Sequence, residues 1–207
     1  QQDGYLDKEQ WLVKDLPASE RPLNQKWSWD RILRSCFIKQ ADVLQGMYFF
    51  EDQFDLDDIR RNFDFYEPRT VHESSLSPCI HSILAAKLND EARAYEFYLR
   101  TARLDLDDYN NDTEDGLHIT SMAGTWMSIV QGFAGMRIKN NQLYFQPFLP
   151  EQWESFTFNI GFRGKILSIR ISKGEMEIEN TSSEVLDVQV GDANYSIPGN
   201  SSQIINI

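Results

Sequence analysis

The stretch best equipped for chemistry is "GLHITSMAGTW", residues 116 to 126. A helix that starts between His118 and Ser121 leaves backbone N–H groups without intrahelical partners. With the positive end of the helix dipole they make a ready anion site. Thr120, Ser121 and Thr125 add hydroxyls, and Gly124 lets a ligand or a second backbone come close. His118 can carry a proton near neutral pH. Six carboxylates crowd "DLDDYNNDTED" just upstream, yet none lies between Gly116 and Pro150. In a chain of net charge −12, such a gap removes repulsion from an incoming anion. The plainer alternative makes Thr120 or Ser121 an N-cap and His118 a satisfied, partly buried histidine.

Two other groups have chemical potential. "CFIKQADVL" sets Lys39 beside Gln40 at a helix start. The pair can donate to sugar hydroxyls or to phosphate, or it is an ordinary surface pair. "YEPRTVHESSLSP" gathers Glu67, Arg69, His72, Glu73 and Ser74 in one connector. Connectors of this kind carry function, or tie a loop down through salt bridges and caps. Trp27, Trp29 and Tyr48 are suited to stack on sugar rings or to fill a core. The acidic loop 105–115 reads as a solvated connector whose Asn and Asp residues make turns, and its spacing is not that of an EF-hand. No nucleophile elbow, phosphate loop, dinucleotide fingerprint or zinc spacing is present.

The elements that must position these residues change character near residue 137. Before it, apolar residues recur at helical spacing. A helix is predicted from near Gln40. Another runs through "DLDDIRRNFDFYEPRT", with acids in its first turn and a stop before Pro68. A third lies in "LSPCIHSILAAKL", with Ser77 as cap, Pro78 in the first turn, and Ile80, Ile83, Leu84 and Leu88 on one face. The next is expected to bury Ala92, Tyr95, Leu99, Ala102 and Leu106. The last, from about Ile119 to Gly135, carries the stripe Ile119, Met122, Ala123, Trp126, Val130 and Phe133. Beyond it the period falls towards two. "RIKNNQLYFQP" reads as a hairpin turning at Asn140-Asn141, and short strands follow to the end. The expectation is a mostly α unit over 1–137 and a small antiparallel β-sheet unit over 138–207 that leans on it.

An acidic chain of pI about 4.6 is a poor partner for nucleic acid or anionic membranes, whose phosphates need a basic face. No apolar run approaches the ~20 residues that span a bilayer. Cys36 and Cys79 sit in apolar segments without metal spacing and read as buried reduced thiols. The polar start "QQDGYLDKEQ" lacks Met and is no secretory signal, so it reads as the start of a fragment and favours a cytoplasmic setting.

Three strings, "RPLNQKWSWDRILRSCFIKQADVLQGMYFF", "YEPRTVHESSLSPCIHSILAAKL" and "DGLHITSMAGTWMSIVQGFAGMR", resemble the C-terminal part of glycoside hydrolase family 65 phosphorylases. The likeness covers roughly residues 5 to 170 and reads closest to the maltose-cleaving branch, beside those acting on kojibiose and trehalose. It implies the last helices of an (α/α)6 barrel followed by a small C-terminal sheet domain. The implied reaction is inverting phosphorolysis of an α-glucosyl disaccharide to β-glucose 1-phosphate and glucose. Phosphate is a co-substrate, and no metal or organic cofactor is implied. By the same likeness Lys39 and Gln40 hold the glucosyl ring, and Glu73 lies in a segment near the substrate. His118, Thr120, Ser121 and Gly124 cradle phosphate. The general acid is expected upstream, in the N-terminal part of the enzyme, so this piece alone is expected to be inactive. Dimers are common in the family. An inverting hydrolase and a non-catalytic carbohydrate-binding module are the alternatives. The hydrolase would need a carboxylate base where His118 to Gly124 lie.

Overall fold

The computed structural model describes residues 11–109 and 111–207; the polar start at residues 1–10 lies outside the described residues. Helices α1 (Leu23–Lys26), α2 (Trp29–Arg34), α3 (Asp42–Phe49), α4 (Leu56–Tyr66), α5 (Ser77–Lys87), α6 (Glu91–Ala102) and α7 (Ile119–Met127) come first. α7 runs on into a π-helical turn, Ser128–Phe133. Local chemistry sets these boundaries. The Asp55 carboxylate accepts the Asp58 N–H at 2.7 Å ahead of α4, and Asp90 accepts the Arg93 N–H at 3.1 Å ahead of α6. Caps of this kind stabilise a helix by about 1 kcal/mol each. α4 ends at Tyr66, before Pro68, as the proline requires.

α5 is the central helix. Every residue from Ser77 to Ala86 is buried, so the expected face of Ile80, Ile83 and Leu84 is one side of a helix covered all round. Ser77 is not its cap, because Leu76 holds that place. The Ser77 hydroxyl lies inside, 2.9 Å from His72 Nδ1. Cys36 and Cys79 are buried thiols outside any disulfide among the described residues, as read from their surroundings.

The outer faces of α6 and α7 correct the expected stripes. α6 buries Ala94, Phe97 and Thr101, while Ala92 and Leu99 are exposed and Leu106, beyond its end, is 77% exposed. α7 turns Ser121 and Gly124 inward and leaves Ile119 68% and Trp126 47% exposed. The reason is steric. A Cβ at Gly124 would stand 2.9 Å from the Cys79 Cβ and 3.3 Å from the Thr101 Cγ2. α7 therefore approaches α5 and α6 through its small residues, and its bulky stripe faces away. Val130 and Phe133, in the π-helical turn, are fully buried. Gly124→Ala should destabilise the fold by about 1–3 kcal/mol through overpacking, read as a lowered midpoint in urea at unchanged slope. An unchanged midpoint would show that Cys79 and Thr101 move aside at no cost.

Strands follow: β1 (Arg137–Lys139), β2 (Gln142–Phe145), β3 (Ser155–Phe162), β4 (Lys165–Ser172), β5 (Glu175–Asn180), β6 (Leu186–Val190), β7 (Ala193–Ile197) and β8 (Ser201–Asn206). β1 and β2 form the expected hairpin, with Asn140 and Asn141 at φ 49° and 66°. Positive φ at both central residues is what a twist-matched two-residue turn needs, and Asn tolerates it. Two four-stranded sheets result, ordered β1-β2-β6-β7 and β3-β4-β5-β8. The second is wholly antiparallel. The first contains a parallel pair, β2 with β6, which departs from the all-antiparallel expectation. Leu143, Phe145 and Val188 share one core with Leu167, Ile169 and Ile178 of the other sheet.

The β unit leans on the helices through that same core, because Val130 and Ala134 belong to it. Glu51 adds a polar tie. Its carboxylate meets Arg137 Nε at 2.8 Å and Lys87 Nζ at 3.1 Å. Burial pushes the Glu51 carboxyl up, but the two cations outweigh it and hold it below its ordinary range.

Candidate functional site

A cleft of about 460 Å³ opens on the helical unit and is lined by Arg21, Lys39, His72, Glu73, Arg100 and Asp112, among others. Backbone pairing fixes the Lys39 side. Ile38 donates to the Arg69 carbonyl at 3.0 Å, and Val71 donates to the Ile38 carbonyl at 2.9 Å. This short parallel bridge brings "KQ" alongside the connector "TVHESS", two segments about thirty residues apart in the chain. Lys39 is exposed, and Gln40 is half-buried just before α3.

Glu73 also lines the cleft, but its carboxylate is engaged. Both oxygens accept the Leu23 N–H, at 2.8 and 3.0 Å, at the start of α1. Glu73 thus ties the 21–26 segment over one edge of the cleft, and a substrate contact is not what its geometry displays. His72 is neutral at ordinary pH: burial holds its ring well below 6.5, and the neighbouring His81 and Arg100 deepen the effect. His81, fully buried beneath it, is pushed down to about 4 by burial. The two rings pack edge to face with centroids 4.6 Å apart, above the Ser77 hydroxyl. They belong to the core, bonded through Nδ1 to Ser77, while Nε2 of each is buried without a hydrogen-bond partner. Arg100 extends from α6 to the cleft and donates to the His72 carbonyl at 3.4 Å. No motif singled out Arg100, because it reads as one more surface charge on a helix.

The start of α7 does not line the cleft itself and connects to it through Asp112, which does. His118 is gripped by the acidic loop: Asp105 Oδ1 is 2.6 Å from His118 Nδ1, and Asp105 Oδ2 accepts the His118 N–H at 3.0 Å. Asp112 Oδ2 stands 3.4 Å from Nε2. The hydrogen bond from Asp105 raises the His118 pKa above 6.5, burial opposes it weakly, and the Asp112 charge raises it further. Asp105 is correspondingly held below its ordinary value by that bond. The carboxylate-free stretch of the sequence is therefore not carboxylate-free in space. The loop folds back, and the anion seated at this helix start belongs to the chain itself.

The other residues of this stretch divide between surface and core. Thr120 is exposed, with its hydroxyl 3.3 Å from that of Ser75. Ser121 is buried and donates its hydroxyl proton to the Thr101 carbonyl at 2.8 Å, so that proton is not offered to a ligand. Gly124 faces Cys79, and its role is the close approach of a backbone rather than of a ligand. The Thr125 hydroxyl donates to the Ser121 carbonyl within the helix. The structure thus links Gln40 and Thr120 through Ser74 and Ser75 of the connector, leaves Lys39 on the cleft and His118 on the acidic loop, and turns Ser121 and Gly124 inward.

The aromatic residues named from sequence divide likewise. Trp27 is buried, its indole N–H on Glu20 and the Arg31 guanidinium 3.5 Å above its ring. Trp29 is exposed, and the Tyr48 hydroxyl meets Gln131. Among the described residues no helix is long and apolar enough to cross a membrane.

Comparison with known proteins gives this arrangement a context. Residues 1–127 match the glycosyl hydrolase family 65 central catalytic domain, and residues 136–197 match the C-terminal domain of that family. Maltose phosphorylase of Bacillus subtilis (strain 168) is 56% identical over 92% of this chain and 25% of its own length. An alpha,alpha-trehalose phosphorylase of Thermoanaerobacter brockii is 40% identical over 91% of this chain and 24% of its own. Among solved structures, a putative kojibiose phosphorylase from the human microbiome superposes with a TM-score of 0.91 at 39% identity. It covers 99% of this chain and 28% of that one. The chain spans about a quarter of the length of the curated relatives it matches.

Proposed function

Given that this chain belongs to glycosyl hydrolase family 65, running from the central catalytic domain into the C-terminal domain, we propose that its parent enzyme phosphorolyses maltose. The products are β-D-glucose 1-phosphate and glucose. A phosphate oxygen forms a bond to the anomeric carbon while the bond to the glycosidic oxygen breaks. A carboxylic acid contributed by the upstream part of the enzyme protonates that oxygen as it leaves. This is the inverting geometry, with phosphate in the place of the hydrolytic water. Lys39 and Gln40 hold the glucosyl ring, and His118 and Thr120 meet the phosphate. Ser121 and Gly124 serve the phosphate site by seating α7 at the right depth. No metal or organic cofactor enters the proposal, the setting is the cytoplasm, and the enzyme is a homodimer.

The observation that carries this reading is His118 at the start of α7, fixed by Asp105 through both its backbone N–H and its ring, a contact that raises its pKa above 6.5. Asp105 fixes the ring through Nδ1, and Nε2 meets Asp112 Oδ2 at 3.4 Å, so a phosphate oxygen reaching Nε2 takes the place of that carboxylate. A cationic donor at a helix N-terminus suits a phosphate oxyanion. Asp112 also gives the hydrolase alternative a specific footing, since it lines the cleft and is a carboxylate.

Phosphate dependence separates the two. The full-length enzyme given maltose should release glucose and glucose 1-phosphate together, in proportion to phosphate consumed, and Lys39→Ala should raise the KM for maltose several-fold. Glucose release indifferent to phosphate, abolished by Asp112→Asn, establishes the hydrolase instead. Binding of maltose with no turnover at all would leave a carbohydrate-binding role.

A further inference from the structure

Three consecutive residues of the connector, Glu73, Ser74 and Ser75, each bond to a different element. Glu73 holds the backbone at the start of α1. Ser74 Oγ accepts the Leu76 N–H at 3.2 Å and donates its own proton to Gln40 Oε1 at 2.9 Å. Ser75 Oγ lies 3.3 Å from Thr120 Oγ1. The connector is itself fixed. Its upstream end is paired to Ile38, and its downstream end runs directly into the buried helix α5.

An amide has one acceptor end and one donor end. With Oε1 occupied by Ser74, Gln40 turns its NH₂ group outward as a donor. A ligand atom meeting Gln40 must therefore be an acceptor, such as a sugar hydroxyl oxygen. If Ser74 is lost, the amide rotates freely, and half of its orientations present the wrong end. Ser75 acts in the same way on Thr120: two hydroxyls in one hydrogen bond fix each other's rotor, which sets where the remaining lone pairs and proton point.

We propose that Ser74 and Ser75 are positioning residues that register the sugar-binding pair with the phosphate-binding helix start, Ser74 by orienting the Gln40 amide and Ser75 by orienting the Thr120 hydroxyl. The proposal rests on the functional reading above. Its geometric content is separate: one rigid connector controls two substrate sites through adjacent hydroxyls.

Steady-state kinetics of the full-length enzyme test it with two substrates varied independently. Ser74→Ala should raise the KM for maltose about three- to tenfold, the effect of one neutral hydrogen bond, and leave the KM for phosphate within twofold. Ser75→Ala should do the reverse. Ser74→Thr, which keeps the hydroxyl, should restore the maltose KM. It also distinguishes a lost hydrogen bond from a misfolded connector. In the Gln40→Ala background Ser74→Ala should have no further effect, because the amide it orients is gone. Equal rises in both KM values from Ser74→Ala, or multiplicative effects in the double variant, overturn the proposal while Gln40→Ala still impairs maltose. A Gln40→Ala enzyme with an unaltered maltose KM overturns the sugar-site reading and the proposal together.

Discussion

Replacing His118 with Ala in the full-length enzyme should raise the KM for phosphate about ten- to hundredfold and leave maltose saturation nearly unchanged. One charge-assisted hydrogen bond to an oxyanion is worth roughly 1.5–3 kcal/mol, and each 1.4 kcal/mol is a factor of ten. The same loss should be reached in the unmodified enzyme by raising pH. Asp105 and Asp112 hold the His118 pKa above 6.5, so the imidazolium is lost as pH rises through that raised value. Phosphate KM should climb there while maltose KM does not. Asp105→Asn should move the climb to lower pH, because the bond that raises the pKa is weakened. Phosphate saturation that is identical in the His118→Ala enzyme would rule out this residue as a phosphate ligand.

The same pair makes a signed contribution to stability. His118 is raised on folding, so its share is fully present below 6.5 and vanishes as pH rises through the folded value. Asp105 is lowered on folding, so its share is present above 3.8 and vanishes as pH falls through its depressed value. Between those limits the loop 105–115 is pinned to α7. Outside them the pin releases from one side or the other.

Much of this organisation was legible in the residue order, and the failures share a cause. Periodicity located α3 to α7 and the Asn140-Asn141 turn, because caps, prolines and turn residues act within a few positions of themselves. It did not identify which of two apolar faces is buried. α6 offers Ala94, Phe97 and Thr101 on one side and Ala92 and Leu99 on the other, and the deciding contact is with α5. In α7 the bulkier stripe misled, because burial there is set by how near Cys79 and Thr101 let the backbone come. The site shows the same division. Residue types marked His118 and Lys39-Gln40 as capable of chemistry. That Asp105 would return to His118, Glu73 to Leu23 and Ser74 to Gln40 is a property of the fold, not of spacing.

The 207-residue chain assayed by itself should produce no measurable glucose 1-phosphate from maltose. Departure of a sugar alkoxide at neutral pH needs a general acid, and such help is typically worth ~10²–10⁴-fold. Three carboxylates at or near the cleft, Glu73, Asp105 and Asp112, are engaged otherwise. Both oxygens of Glu73 accept the Leu23 N–H, Asp105 is hydrogen-bonded to His118 and held ionised by it, and Asp112 faces the same ring. None of these three is free to deliver a proton to a glycosidic oxygen held at Lys39 and Gln40. The surface points the same way. Leu99, Leu106, Ile119, Met122 and Trp126 are exposed on α6, α7 and the loop between them. Apolar surface of more than a few hundred Å² on one side of a domain normally meets a partner. The chain should accordingly self-associate, and mixing it with the separately produced upstream part of the enzyme should dissolve the oligomers and restore phosphorolysis. Light scattering and a glucose 1-phosphate assay across a titration of the upstream part measure both effects on one sample. A monodisperse monomer that turns over maltose unaided would refute the placement of the acid outside this chain.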